Sequence, residues 1–436
     1  MPTKKKTQSA APNGFQLVKS KHGIEEYVYK KNGLRVLYHC DTSTPVAGLM
    51  VTYLVGSRNE VAGTTGSTHI LEHMMFKGSK KFPPKKGVSV LDALGKKGAQ
   101  VNASTWLDRT NYYEVLPSEH FTYALEVEAD RMRNALITKK DLEAELPAIK
   151  SEYAMYANEP TEHLDEKVWA TAFLNHPYHH STIGWYEDIE NATVEKLKAF
   201  YDIYYHPNNA VVTVMGDIEK KEAFALIKKY FGVHSRSKHS IPEVYAVEEE
   251  QTGKRTVEVS RQGTVNVTSL SYKVPEALHS DTPALMVLSE VLASQTTSRF
   301  ESTLVRKALV SRAYVHYRPF RDPSVMSYVA LPVEGDGHEK VLKAMQKEFE
   351  RVKVDGVRAE EVERVTAQLQ TQMALARDGH FAQLSVINEA LSVGDWCFYF
   401  DLAKKVAKVT PEMVQKVAQK YLTERGLTVG YYKALG

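Results

Sequence analysis

Apolar and polar residues alternate along this chain in two rhythms. Glu25–Tyr29, Leu34–His39 and Val46–Val55 are short runs rich in Val, Leu and Tyr, bounded by turn residues, and they predict strands. Val101–Thr105, Asn111–Leu116 and Asn209–Met215 carry the same signature. Phe121–Asn134, Lys139–Met155 and Val194–Tyr205 place apolar residues at helical spacing among Glu and Lys, and predict helices. Val88–Leu94 reads as a shorter helix, and the Gly-rich turn Ala62–Gly66 leads into another over Gly66–Phe76. Tyr178-His179-His180 reads as a loop. Residues 1–14, polar and rich in Lys, Ser, Ala and Pro, read as a disordered leader.

The pattern then repeats. Thr193–Phe200 and Thr410–Val417 match at a separation of 217 residues, and the match continues through Tyr204 and Tyr421 to Val212 and Val429. Upstream, Val46–Val55 resembles Val265–Val274, with Tyr53 and Tyr272 at equivalent places. A separation near half the chain length is what a duplicated domain requires. Val233–Gly253, polar and rich in Ser, Lys and Glu, reads as a linker. The expected organisation is therefore a leader 1–14, a domain 15–232, a linker 233–253 and a related domain 254–436. Strand runs and helices alternate in each half, so each is expected to be α+β, with helices covering a sheet.

Composition narrows the class. The chain has 436 residues, 43% hydrophobic and 25% charged, as in an ordinary globular protein too long for one core. A net charge of +3 gives no pull toward nucleic acid. No apolar run approaches the length of a membrane span. The polar start lacks a secretory apolar region. A periplasmic protein already trimmed of its signal fits this, with cytoplasm and mitochondrial matrix as alternatives. Cys40 and Cys397 are too far apart to be a metal pair by spacing and read as two buried thiols.

The chemistry concentrates in Gly66-Ser-Thr-His69-Ile-Leu-Glu72-His73-Met-Met-Phe76. His69 and His73 are four apart, so their imidazoles share one face of a helix and can grip a single Zn²⁺. Glu72 beside them can reach a water at the metal. Ile70, Leu71, Met74 and Met75 bury the other sides, and a buried helix with three ionisable side chains needs a reason. A third ligand must come from elsewhere. The helix Lys139–Met155 carries Glu143, Glu145 and Glu152 with Pro147 inside, and Glu145 and Glu152, seven apart, share one face. Glutamates on a helix are most often a solvated face, so spacing alone leaves the third ligand open. At the separation of the repeat, His69 falls on Met286, Glu72 on Ser289 and His73 on Glu290, so the second half is expected to lack the metal helix.

Thr68-His-Ile-Leu-Glu-His-Met-Met-Phe-Lys-Gly78, Asn102-Ala103-Ser104-Thr105 with Thr110 and Tyr112, and Glu145 followed by Glu152 and Tyr156 resemble the pitrilysin and mitochondrial-processing-peptidase family. Its members are inverted zinc peptidases, named for the order H-x-x-E-H. His176-Pro-Tyr178, Ile183-Gly184, Tyr205-His-Pro-Asn-Asn209, Ser298-Arg299-Phe300 and Arg321-Asp322-Pro323 fit the same family. The resemblance implies a fold of two related α+β domains, each with a mostly antiparallel sheet backed by helices. It implies one Zn²⁺ per chain held by His69, His73 and Glu152. Glu72 is implied as general base and Glu145 as an accessory catalytic carboxylate that is not itself a ligand. Asn102, Ala103 and Ser104 would bind the substrate peptide by strand addition, which favours extended, unfolded peptides. Fully equipped members carry in the second half an Arg followed seven residues later by a Tyr. In the matching segment here, Leu304–Tyr314, Arg306 and Tyr314 are eight apart. A homologous partner subunit without the zinc motif, supplying that pair in a heterodimer, is the expectation; the alternative is a one-residue insertion that leaves Arg306 and Tyr314 functional. The rival reading is a non-catalytic core-type subunit of a larger complex, though such subunits typically lose zinc-site residues.

Overall fold

The computed structural model describes residues 11–84, 89–294, 296–333 and 337–436. Most of the expected leader, residues 1–10, and Val88 of the predicted helix Val88–Leu94 lie outside these. Residues 12–14 are already tied to the sheet: Phe15 donates to the Pro12 carbonyl at 2.9 Å and Lys30 to that of Gly14 at 3.0 Å.

The strands of the first half are β1 (Phe15–Lys21), β2 (Ile24–Tyr29), β3 (Arg35–Cys40), β4 (Val46–Tyr53), β5 (Gln100–Thr105), β6 (Thr110–Pro117) and β7 (Ala210–Gly216). They form a 7-stranded sheet in the order β1-β2-β3-β7-β4-β6-β5. The second half contributes β8 (Arg255–Gln262), β9 (Val267–Val274), β10 (Val310–His316), β11 (Ser324–Pro332) and β12 (Leu427–Leu435). These make a 5-stranded sheet in the order β10-β11-β9-β12-β8. Without the β1–β2 hairpin, β3-β7-β4-β6-β5 of the first sheet reads as β8-β12-β9-β11-β10 of the second. The parallel pair falls at the same place in each, β3 with β7 and β8 with β12, and the other pairings are antiparallel. The duplication expected from the repeat is thus a repeat of topology. A helix, Thr282–Ala293, stands where the repeat puts Met286, Ser289 and Glu290.

The central strands of each sheet are buried on both faces, and period-two alternation explains how. Leu49, Val51 and Tyr53 of β4 face the main first-half core, while Met50 between them joins Leu37, Val211 and Met215 on the opposite face. That opposite face is covered by a helix from the other half: His380–Ser392 lays Leu384, Ile387 and Leu391 on it. The second sheet is covered reciprocally, with Leu164 and Val168 of helix Pro160–Ala172 packing on Val267, Val329 and Tyr432. Two glycines permit the close approach. A Cβ on Gly48 would lie 2.7 Å from Leu384, and one on Gly430 would lie 2.5 Å from Val168. Each sheet therefore needs a helix from the other half to finish its core, and the two halves pack as one body.

One sequence expectation changes. Cys40 is exposed rather than buried, because it ends β3 where the strand leaves the sheet; Cys397 is buried. Trp169 packs on Phe173 and Phe320 between the halves. Among the described residues no helix is long and apolar enough to cross a membrane.

Candidate metal centre

The histidine helix runs Ser67–Met74. Gly66, at φ 81°, turns the chain into it, and a Cβ there would meet the Ile183 carbonyl at 2.5 Å, so only glycine fits. The helix has no side-chain cap at its first residue. The buried Glu60 carboxylate takes that role, accepting the N–H of Gly66 at 2.8 Å and of Thr68 at 2.7 Å. Ile70, Leu71 and Met74 lock the inner face. Beneath it Arg131 stacks on Phe76 and Tyr112 and pairs with Glu128 and Glu114, all three charges fully buried. Together these contacts leave the helix one outward face, and that face holds His69 and His73.

The glutamate helix, Lys139–Asn158, crosses in front of it and keeps its helical course through Pro147. Glu152 Oε2 lies 3.6 Å from His69 Nε2 and 3.8 Å from His73 Nε2. One ligand atom from each of His69, His73 and Glu152 falls within 4.8 Å of the others. Four ligands round a Zn²⁺ at ordinary bond lengths sit about 3.4 Å apart, close to the two separations from Glu152, so this donor set fits the ion once the atoms draw in. Burial, with His73 beside it, lowers His69 to about 4, leaving a neutral imidazole able to bind a metal. Glu145 Oε1 lies 2.9 Å from His73 Nδ1. Burial alone would raise the Glu145 carboxyl, but the Lys77 ammonium and His73 more than offset it and hold it below the ordinary range. A carboxylate that stays charged on Nδ1 fixes the tautomer that leaves Nε2 free for metal. Glu143, the other acid on this helix, pairs with Lys139 on the surface, as expected of a solvated face.

Glu72 is largely buried, which raises its carboxyl above the ordinary range, and its Oε2 accepts a 2.6 Å hydrogen bond from Thr105 Oγ1. Thr105 ends β5, the last strand of its sheet, which pairs with β6 alone among the described residues. Asn102, Ala103 and Ser104 therefore lie on a sheet edge close to Glu72. Asn102 Oδ1 accepts from the Ala103 N–H at 2.9 Å, and Ser104 Oγ donates to Asn111 Oδ1 at 2.8 Å. A cavity of about 260 Å³ opens from His69 and Glu152, lined by aromatic residues including Tyr153, Tyr156, Trp169 and Phe320, and by Glu162 and Asp165. It can take an apolar side chain of a bound peptide.

The structure turns Arg306 outward, while Tyr314 stays beside Thr161, Glu162 and Asp165 of helix Pro160–Ala172, two of which line the cavity. Arg306 donates to the Thr296 carbonyl at 3.0 Å and pairs with Glu301, and Tyr314 packs under Arg312. A seven-residue Arg–Tyr spacing does occur at Arg321 and Tyr328 and at Arg425 and Tyr432, but both tyrosines are buried in the second half. Two roles escaped the sequence reading: Lys77 on Glu145 and Thr105 on Glu72. Lys77, four residues after His73, carried a usable signal in its spacing; Thr105, thirty-three residues after Glu72, carried none. Away from this centre His176 Nε2 lies 2.9 Å from Asp322 Oδ2, and His206 Nε2 2.8 Å from the Asp202 carbonyl.

Residues 35–184 match the family described as insulinase (peptidase family M16), and residues 191–369 match the peptidase M16 inactive domain. The chain is 34% identical over 330 residues to the zinc protease PqqE of Helicobacter pylori, covering 74% of this chain and 72% of that protein. It is 26% identical over 422 residues to a zinc protease of Streptomyces coelicolor, covering 94% and 90%. The crystal structure of a protease from Helicobacter pylori superposes with a TM-score of 0.87 at 28% identity, over 96% of this chain and 99% of that one. The periplasmic protease PqqL of Escherichia coli matches with a TM-score of 0.75 and 19% identity, over 97% of this chain and 49% of that one, a likeness of fold.

Proposed function

Because this chain belongs to the M16 family of peptidases, we propose that it is a zinc-dependent endopeptidase that cuts extended or unfolded peptides at the centre between its two helices. The convergence of His69, His73 and Glu152 is the observation that carries this reading. These three residues would hold one Zn²⁺, which supplies Lewis-acid polarisation of a water and of the scissile carbonyl. Glu72 takes the proton of the attacking water and returns it to the leaving amide nitrogen. Thr105, donating to one Glu72 oxygen, leaves the other to receive that proton. Glu145 holds the His73 ring, and β5 accepts the peptide as an added strand, so backbone hydrogen bonds rather than a folded surface select the substrate.

Glu145 acts only through His73. Its replacement by Ala is expected to weaken zinc binding about 10- to 100-fold, the range for an outer-shell partner. A zinc titration against a chelator of known affinity reads this directly, and an unchanged affinity would remove Glu145 from the site.

We also infer that a homologous subunit completes the enzyme. The outward course of Arg306 supports this, since donors that stabilise an oxyanion contribute about two to three powers of ten in rate. So does size, because this chain matches about half of the PqqL chain. The test is peptide hydrolysis by the purified, zinc-loaded chain. Slow cleavage that rises at least tenfold on adding a partner would support the heterodimer, full cleavage by the single chain would remove it, and cleavage under neither condition would favour the structural-subunit reading. A periplasmic location, that of PqqL from Escherichia coli, is extended to this chain on the same footing.

A further inference from the structure

The second half lacks metal ligands, yet it grips the first half at one revealing place, the tip of the β5–β6 hairpin. Leu107 packs on Phe320 and Val325. Asp108 accepts the backbone N–H of Arg321 at 3.4 Å. Arg109 reaches both ways from this tip. Its side chain is only 7% exposed, and it forms an ion pair with Glu389 on helix His380–Ser392 of the second half. The same guanidinium donates through Nη1 to the Ser104 carbonyl at 2.9 Å and to the Ser104 hydroxyl at 2.7 Å. Asn388, the neighbour of Glu389, closes the loop. It donates to Asn111 Oδ1 at 3.1 Å, and Asn111 in turn accepts from Ser104 Oγ at 2.8 Å.

We propose that Arg109 is a positioning residue through which the second half sets the substrate-binding edge: Glu389 holds the guanidinium, and the guanidinium holds Ser104 on β5. This rests on the reading of β5 as the strand to which a peptide adds. An edge strand pairs with a partner only if its backbone keeps the register and twist of the sheet, and β5 has neighbour support on one side alone. Two charge-assisted hydrogen bonds to one residue, anchored by a carboxylate across the interface, fix that end of the strand. Thr105, the next residue, bonds the Glu72 carboxylate at 2.6 Å, so the same restraint aligns the peptide with the base. A half without metal thereby acts on the metal site.

The test uses the full chain, loaded with zinc and carrying Glu72→Gln so that peptide is held and not cut. Binding of a fluorescently labelled unfolded peptide is followed by anisotropy. Arg109→Met, which keeps the bulk and removes the charge, is expected to weaken binding about tenfold, and Glu389→Gln somewhat less. Arg109→Lys restores a cation and is expected to recover most of the loss. The double variant Arg109→Met/Glu389→Gln should bind no worse than Arg109→Met alone, because both changes cut one connection. Equal affinities throughout, or losses that simply add, would overturn this role while leaving the peptidase reading intact. A zinc-loaded parent that binds no peptide would overturn the strand-addition reading, and this role with it.

Discussion

Replacing Glu72 with Gln is expected to lower peptide hydrolysis about a thousandfold, within the range that general acid–base catalysis contributes, while bound zinc stays at its original stoichiometry. The argument rests on what the amide keeps and what it loses. Gln has the same shape, so it fits the buried position of Glu72 and can still accept the Thr105 hydroxyl that now lies at 2.6 Å. It is not one of the three donors that converge at the centre, so the metal has no reason to leave. What disappears is the ability to take a proton from water and deliver it to the leaving nitrogen. Burial raises the Glu72 carboxyl above its ordinary range, which strengthens it as a base and helps it hold the proton between the two steps. Zinc analysis and steady-state kinetics on the same preparation decide the matter. Loss of both metal and activity would mean that Glu72 holds the site together, and retention of more than a tenth of the activity would mean that the base lies elsewhere.

Replacing Glu152 with Ala is expected to act on the metal itself. Zinc affinity should fall by more than about 100-fold, beyond the ceiling for an outer-shell residue, and hydrolysis should fall with it. The two glutamates of one helix are thereby separated by mechanism. Glu145 touches His73 on the nitrogen that faces away from the centre, at 2.9 Å, and is engaged by Lys77. Glu152 points at both Nε2 atoms, at 3.6 and 3.8 Å. Parallel chelator titrations of Glu145→Ala and Glu152→Ala should therefore give clearly unequal losses. Equal losses would assign both carboxylates the same role, and an unaltered affinity in Glu152→Ala would send the search for the third ligand to another element. Adding excess zinc should rescue Glu145→Ala more readily than Glu152→Ala, since the first keeps all three donors and the second keeps two.

Much of the site was legible because helices convert spacing into geometry. A separation of four puts His69 over His73, and a separation of seven puts Glu145 and Glu152 on one line, so once the two helices cross, the donors are already arranged. Much of the fold was legible for a related reason: period-two runs mark strands, and a repeat at 217 residues marks a duplicated order of strands. The resemblance to a known family then joined Glu152 to the histidines, a link that spacing had left open. What escaped were contacts between elements distant in the chain. Thr105 on Glu72, Arg109 on Glu389 and the exchange of covering helices between the halves have no periodicity, and residues 104 and 389 say nothing about each other until the chain is folded. Cys40 was misplaced because an apolar strand pattern does not show where the strand runs out into solvent.

The division follows from the range of the forces. By itself the amino-acid order determined the local helices and strands, their duplicated succession, and the chemistry available on each helical face, because these depend on neighbours within a turn or two of backbone. The tertiary structure alone decided which face met which: that Glu152 rather than Glu143 turned to the histidines, that each sheet borrowed a helix from the opposite half, and that Arg109, paired with Glu389 of the second half, holds Ser104 on the edge strand. Those choices come from burying both faces of the central strands of two sheets at once, a condition that no short stretch of sequence contains.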